Sequence, residues 1–149
     1  MAHEADRALT AAERQLAGGV FNTAIDYAQV QVRRRKYFPF QPRRITMAPN
    51  GHIWCHPEGD SWAPCYASGP LGQQALFIHE MTHVWQHQSG INLLLRRLPF
   101  ARYHYRLKDG RPLSAYGIEQ QACIVADAFL ARARGRADPA LEALLPFGV

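Results

Sequence analysis

Two stretches of the chain carry a helical repeat of apolar positions. In the first, Leu76, Phe77, Met81, Val84 and Trp85 recur at the spacing of one buried helix face, and no Pro or Gly interrupts residues 73–89. Pro70 stands near the predicted start, and Gly90 closes the segment as a C-cap. In the second, Ile118, Ala122, Val125, Ala126, Phe129 and Leu130 form a broad apolar stripe, predicting a helix over 118–134. Thr10-Ala11-Ala12-Glu13 is a capping-box pattern that opens a short helix, which Gly18-Gly19 weakens or ends. Asp138-Pro139 predicts a last short helix, with Asp138 as its N-cap.

Extended segments lie between the helices. Val30 and Val32 alternate within 27–35, which reads as a strand broken by Pro39 and Pro42. Segments 45–47 and 53–55 flank Pro49-Asn50-Gly51, a strong hairpin signal. Residues 57–70 read as a loop, and residues 91–98, apolar and then basic, read as a further helical piece. Tyr103, Tyr105 and Leu107 alternate into a turn at Lys108-Asp109-Gly110-Arg111. The expected architecture is α+β: a short mixed sheet or hairpins, then two principal helices, in one domain over residues 1–149.

The first long helix carries the chemistry. His79-Glu80-Met81-Thr82-His83 is an H-E-x-x-H motif. Residues four apart share a helix face, so His79 and His83 can offer imidazole nitrogens to one zinc ion. Glu80 then stands beside the open fourth position, placed to take a proton from an attacking water. Two imidazoles and a carboxylate on a buried face need partners, and a metal supplies them. The candidate third ligand is Glu119, at the start of the second helix; the plainer reading is a glutamate favoured by the helix dipole. His87 is the rival ligand, but positions eight apart lie about 12 Å apart along a helix axis, so it reads as a rim or surface residue. Tyr116, one turn before Glu119, is a candidate donor to the oxyanion, with Tyr103, His104 and Tyr105 as rivals.

Composition changes this picture little. The formal net charge is +5 and the cations are mostly arginine. Arg33, Arg34, Arg35 and Lys36 run together, Arg43 and Arg44 follow, and Tyr37, Phe38 and Phe40 interleave. No nucleic-acid-binding motif accompanies them, so a solvated basic edge is the favoured reading and nucleic acid an unlikely partner. The longest apolar runs are too short to span a bilayer. The first residues lack the basic and apolar parts of a secretory signal, predicting a product that is cytoplasmic as synthesised. Cys55, Cys65 and Cys123 cannot all pair internally, and reduced thiols are the expected state. His52, Cys55, His56 and Cys65 match no standard zinc spacing. Cys65, in the loop before the motif helix, could cover the zinc as a thiolate, a minor reading.

The residues around the motif carry a resemblance. Residues 77–86, Tyr116 and Glu119-Gln120-Gln121-Ala122, together with Ile25-Asp26-Tyr27 and residues 46–54, resemble the small Vgr-related proteins of proteobacteria. They are similar also to the metallopeptidase domain that ends some type VI secretion spike (VgrG) proteins. The resemblance implies a gluzincin-like zinc fold, with His79, His83 and Glu119 as ligands and Glu80 as catalytic base. It also implies a link to type VI secretion, as a delivered toxin or an accessory protein. A secretion spike or an immunity protein would be the partner, beside a peptide or protein substrate. In many gluzincins an Asp four residues after the ligand Glu supports a ligand His. Here that position is Cys123, with Asp127 one turn further on. The expected function is zinc-dependent peptide hydrolysis; the alternative is a zinc-stabilised adaptor that cleaves nothing. The hairpin over 45–55 is the expected edge for an extended substrate.

Overall fold

The computed structural model describes residues 6–94 and 102–148. Its architecture is α+β. A three-stranded mixed sheet is formed by β1 (Asp6–Ala8), β2 (Gln31–Arg33) and β3 (Ile53–Trp54), in that order. β1 runs antiparallel to β2, and β3 parallel to it with Val32 opposite Ile53. The helices are α1 (Ala11–Phe21), α2 (Leu71–Gln88), α3 (Ile118–Ala133) and the short α4 (Pro139–Glu142).

The core lies where α2 meets α3. Ile78, Met81 and Val84 on α2 and Ala122, Ile124, Val125 and Ala128 on α3 are wholly buried. The buried face of α3 is therefore wider than its sequence stripe, because Ile124 and Ala128 join it. Phe147 closes one end, edge-on to Phe21 at 4.8 Å and to Trp85 at 4.9 Å. After α2, Gly90 takes φ +92°, and the amides of Gly90 and Ile91 return to the carbonyls of His87 and Gln86.

Glu13 ties the N-terminal half together. The capping box forms as expected: Thr10 Oγ1 accepts from the Glu13 amide, and Glu13 Oε1 accepts from the Thr10 amide at 2.9 Å. Sequence context places Glu13 in a polar setting, yet it is fully buried. Its carboxylate also accepts both terminal nitrogens of Arg7, at 2.7 and 2.9 Å, and the Tyr66 amide at 2.8 Å. One side chain thus joins β1, α1 and the turn Tyr66–Ser68. Burial alone would raise its pKa, but the Arg7 guanidinium and the two amides hold it below the usual carboxylate value.

Several extended predictions are corrected. Within 27–35 only Gln31–Arg33 is strand, and Tyr27–Gln29 is a 3₁₀ turn closed by the Tyr27 carbonyl accepting the Val30 amide. The hairpin over 45–55 reduces to one antiparallel bridge between Met47 and Trp54, while β3 pairs along its other edge with β2. Residues 103–107 pair with no strand, although the turn at Lys108–Arg111 is present. α1 runs through Gly18-Gly19 to Phe21, since burial of Ala17, Val20 and Phe21 outweighs the low glycine propensity. The helical piece expected over 91–98 lies largely outside the described residues. At the last helix, Asp138 Oδ1 accepts the Ala140 amide, as its N-cap position requires.

Candidate metal centre

α2 and α3 bring His79, His83 and Glu119 to one point. The ligand atoms of the three residues all lie within 4.8 Å of one another. Glu119 Oε1 sits 3.2 Å from His79 Nε2 and 2.8 Å from His83 Nε2. The imidazole rings stand edge-on, with centroids 5.1 Å apart. His83 and Glu119 are buried and His79 is half-buried.

The electrostatics of the cluster are those of a cation site. Burial works against a charged His79, but Cys123, Glu119 and Glu80 around it push its pKa up to about 10. His83 shifts upward for the same reason, with Glu119 its main counterweight to burial. Glu119 goes the other way: burial opposes its charge, but the two imidazoles hold its carboxyl far below the usual range. Two imidazole nitrogens and one carboxylate oxygen on adjacent helices are a donor set that fits zinc. The dipole role weighed for Glu119 is therefore secondary to its position between the two histidines.

Sequence reasoning missed Gln86, the residue that orients His83. Its Oε1 lies 2.8 Å from His83 Nδ1. Gln86 Nε2 donates to the Ile118 carbonyl at 3.0 Å and to Gln121 Oε1 at 2.9 Å, which fixes which end of the amide is oxygen. Gln121 in turn donates to the Tyr116 carbonyl. His83 Nδ1 must then be the donor to Gln86, leaving Nε2 directed at Glu119. Gln86 is fully buried, and its position one turn beyond His83 on an apolar helix was the available signal.

Glu80, only 4% exposed, lines two adjoining cavities. One is narrow and also bounded by Met47, Ala48 and His83. The other is an open cleft of about 990 Å³ bounded by Ile45, His79, His104 and Cys123. Thr46, Glu80 and Tyr103 border both. Met47 exchanges both backbone hydrogen bonds with Trp54, so the amide and carbonyl of Thr46 and of Ala48 face the opposite side, toward the cavities.

The other candidates separate. Tyr103 stacks on His79 with ring centroids 6.4 Å apart. Tyr116 does not join the site: its hydroxyl accepts the Lys108 amide at 3.0 Å, and the Arg111 guanidinium covers its ring. It borders neither cavity and contributes its carbonyl to the Gln86–Gln121 chain instead. Tyr105 donates to Asp127 Oδ2, and both line the open cleft. Cys123 takes the place beside His79. His87 is exposed and packs its ring against Gly51, away from the cluster. Cys65 lies 3.1 Å from Thr10 Oγ1 at the cap of α1 and does not cover the histidines. Cys55 meets the Tyr66 hydroxyl, and His52 and His56 each accept a backbone amide. All three cysteines are free.

Such a domain, with a short mixed sheet and a buried His–His–Glu cluster between two helices, has a close counterpart among solved structures. The effector domain of Pseudomonas aeruginosa VgrG2b matches it with a TM-score of 0.83 and 43% identity, over 93% of this chain and 83% of that one. The sequence is also 47% identical over 135 residues to the type VI secretion system spike protein VgrG2b of Pseudomonas aeruginosa. That alignment covers 85% of this chain and spans 13% of the spike protein's length. No protein-family model matches the chain. The chain belongs to the family of the VgrG2b effector domain.

Proposed function

We propose that the chain is a zinc-dependent peptidase acting as a type VI secretion effector, with a peptide or protein as substrate. The observation that carries this reading is the convergence of His79 Nε2, His83 Nε2 and Glu119 Oε1 beside a cavity that Glu80 also lines. Family membership supports the secretion role and fits association with a spike. When bound, zinc supplies Lewis-acid polarisation and lowers the pKa of water towards about 7.

The chain's own residues supply the remainder. His79, His83 and Glu119 hold the ion, and Gln86 keeps His83 in the tautomer that presents Nε2. Glu80 takes a proton from the attacking water as its oxygen bonds to the substrate carbonyl carbon. Glu80 then returns that proton to the leaving nitrogen as the carbon–nitrogen bond breaks. Tyr103, whose ring stacks on His79 at the border of both cavities, is our candidate donor to the developing oxyanion. The outward backbone groups of Thr46 and Ala48 align an extended substrate by strand addition.

The test is Glu80→Gln, which keeps the side chain's size but removes the base. Purified variant and wild type, loaded with zinc, are incubated with a mixed set of unfolded proteins and the new N-termini are mapped. Wild type generates a defined set of termini and the variant does not, while both hold zinc equally. Equal cleavage by the variant contradicts the mechanism.

A further inference from the structure

Between Asp26 and Glu58 the sequence contains no carboxylate, yet Arg33, Arg34, Arg35, Lys36, Arg43 and Arg44 fall in this interval. The fold gathers the middle of it into a projecting loop over residues 36–44. Its neck is pinned by Gln41, which is 3% exposed. Gln41 Oε1 accepts the Tyr37 amide at 2.7 Å, and its Nε2 donates to the carbonyls of Ile45 and Trp54 at 2.8 and 3.3 Å. The Phe38 carbonyl accepts the Gln41 amide, closing the turn. At its tip lie Phe38 and Phe40, 39% and 86% exposed. The Lys36 ammonium donates to the Pro39 carbonyl, which places a cation beside the two rings.

An almost fully exposed phenylalanine on a rigidly held turn is an unfavourable use of a large apolar side chain unless something covers it. The surrounding charge indicates what does. Arg35 pairs with Asp6 and Arg43 with Glu58, but Arg33, Arg34, Lys36 and Arg44 have no carboxylate partner among the described residues. Arg33 and Arg34 are held over the rings of Trp54 and Trp62, which fixes both guanidinium groups rather than leaving them to sweep through solvent. An apolar tip flanked by unpaired cations is complementary to an anionic lipid surface: the rings enter the headgroup boundary and the cations meet phosphates. Nucleic acid fits less well. Single-strand binding uses aromatic faces laid along a groove, whereas these rings stand at the apex of a proline-bounded turn.

We propose that the loop over residues 36–44 docks the protein on anionic phospholipid bilayers, with Phe40 as the inserting residue and Lys36 and Arg44 as headgroup contacts. Arg44 also borders the cleft, so a docked protein holds the mouth of its cleft at the bilayer surface. The proposal does not depend on hydrolysis.

The test is co-sedimentation of the full chain with vesicles of phosphatidylcholine alone and of phosphatidylcholine and phosphatidylglycerol in equal parts, over a range of salt. Wild type binds only the vesicles containing phosphatidylglycerol, and salt weakens the binding. Phe40→Ser weakens it about tenfold. Lys36→Ser with Arg44→Ser weakens it about 25-fold and flattens the salt dependence. All these side chains are exposed, and circular dichroism checks that the variants fold as wild type. No binding, equal binding to both vesicles, or unchanged binding by Phe40→Ser overturns the proposal. So does tight binding to duplex DNA that is indifferent to Phe40 and excludes vesicles.

Discussion

Replacing Gln86 by Leu tests the orienting chain behind the metal centre. The side chains are similar in volume, so the core is filled, but three hydrogen bonds are lost: one from His83 Nδ1 and two from Gln86 Nε2 to Ile118 and Gln121. All these groups lie in the buried centre between α2 and α3. Each polar group left without a partner costs about 1–3 kcal/mol. Leucine recovers part of this through apolar burial, and the net destabilisation expected is about 2–4 kcal/mol. The effect on the metal is separate. With its Nδ1 partner gone, His83 no longer has a fixed tautomer, and loss of such a support lowers metal affinity about 10–100-fold. Gln86→Glu sharpens the comparison: it keeps an acceptor for His83 but turns an oxygen toward two other acceptors. It is expected to destabilise the fold at least as much while retaining more of the zinc affinity. Urea unfolding of the metal-free proteins gives the first quantity, and zinc competition against a chromophoric chelator gives the second. If Gln86→Leu folds and binds zinc as tightly as wild type, the assignment of Gln86 as the residue that fixes His83 is wrong.

Breaking the buried pair by Arg7→Ala leaves Glu13 charged among α1, β1 and the Tyr66 turn, and is expected to cost about 3–5 kcal/mol in urea unfolding. Because the Glu13 pKa is lowered in the fold, its contribution is fully present above about pH 4.5 and is lost as pH falls through the lower folded value. An acid-unfolding curve of Arg7→Ala less steep than wild type over that window supports this, and an identical curve counts against it. Tyr103→Phe is expected to lower kcat about 10²–10³-fold, whereas Tyr116→Phe keeps kcat and loses about 1 kcal/mol of stability with its Lys108 contact. The reverse ranking would return Tyr116 to the site. Gly51→Ala places a methyl 2.9 Å from the His87 ring at a backbone φ of +89°. It is expected to cost about 1–3 kcal/mol, of which His87→Ala relieves only the steric part; full rescue would show that the backbone conformation carries no penalty.

The helices and the centre they carry were the most legible parts of the sequence. Both long helices fall within two residues of their expected ends, because their apolar faces pack on each other and the hydrophobic period is set by that contact. The convergence of His79, His83 and Glu119 is readable because a four-residue spacing puts two side chains on one helix face and because Glu119 lies in the first turn of the next buried helix. The sheet was less legible. Asn50-Gly51 does form a turn, but Asn50 Oδ1 accepts the Trp54 indole and Gly51 yields to the His87 ring, so one bridge replaces a ladder. Parallel pairing of β2 with β3 depends on residues far apart in sequence, which no local pattern encodes. Tyr116 was misplaced because helical spacing was extended past Gly117, where the chain leaves the helix and turns the ring toward Lys108. Gln86 was missed because an isolated amide does not declare its burial.

Zinc content tests the metal-binding role of the His79–His83–Glu119 cluster most directly. Elemental analysis of wild type, Glu80→Gln, His83→Ala and Glu119→Ala, purified without added metal and then equilibrated with zinc, decides it. About one zinc per chain is predicted for wild type and for Glu80→Gln, and none held tightly by the other two. A wild type that takes up no zinc, or a Glu119→Ala protein that holds it as firmly as wild type, would contradict the assignment of this cluster as the metal centre.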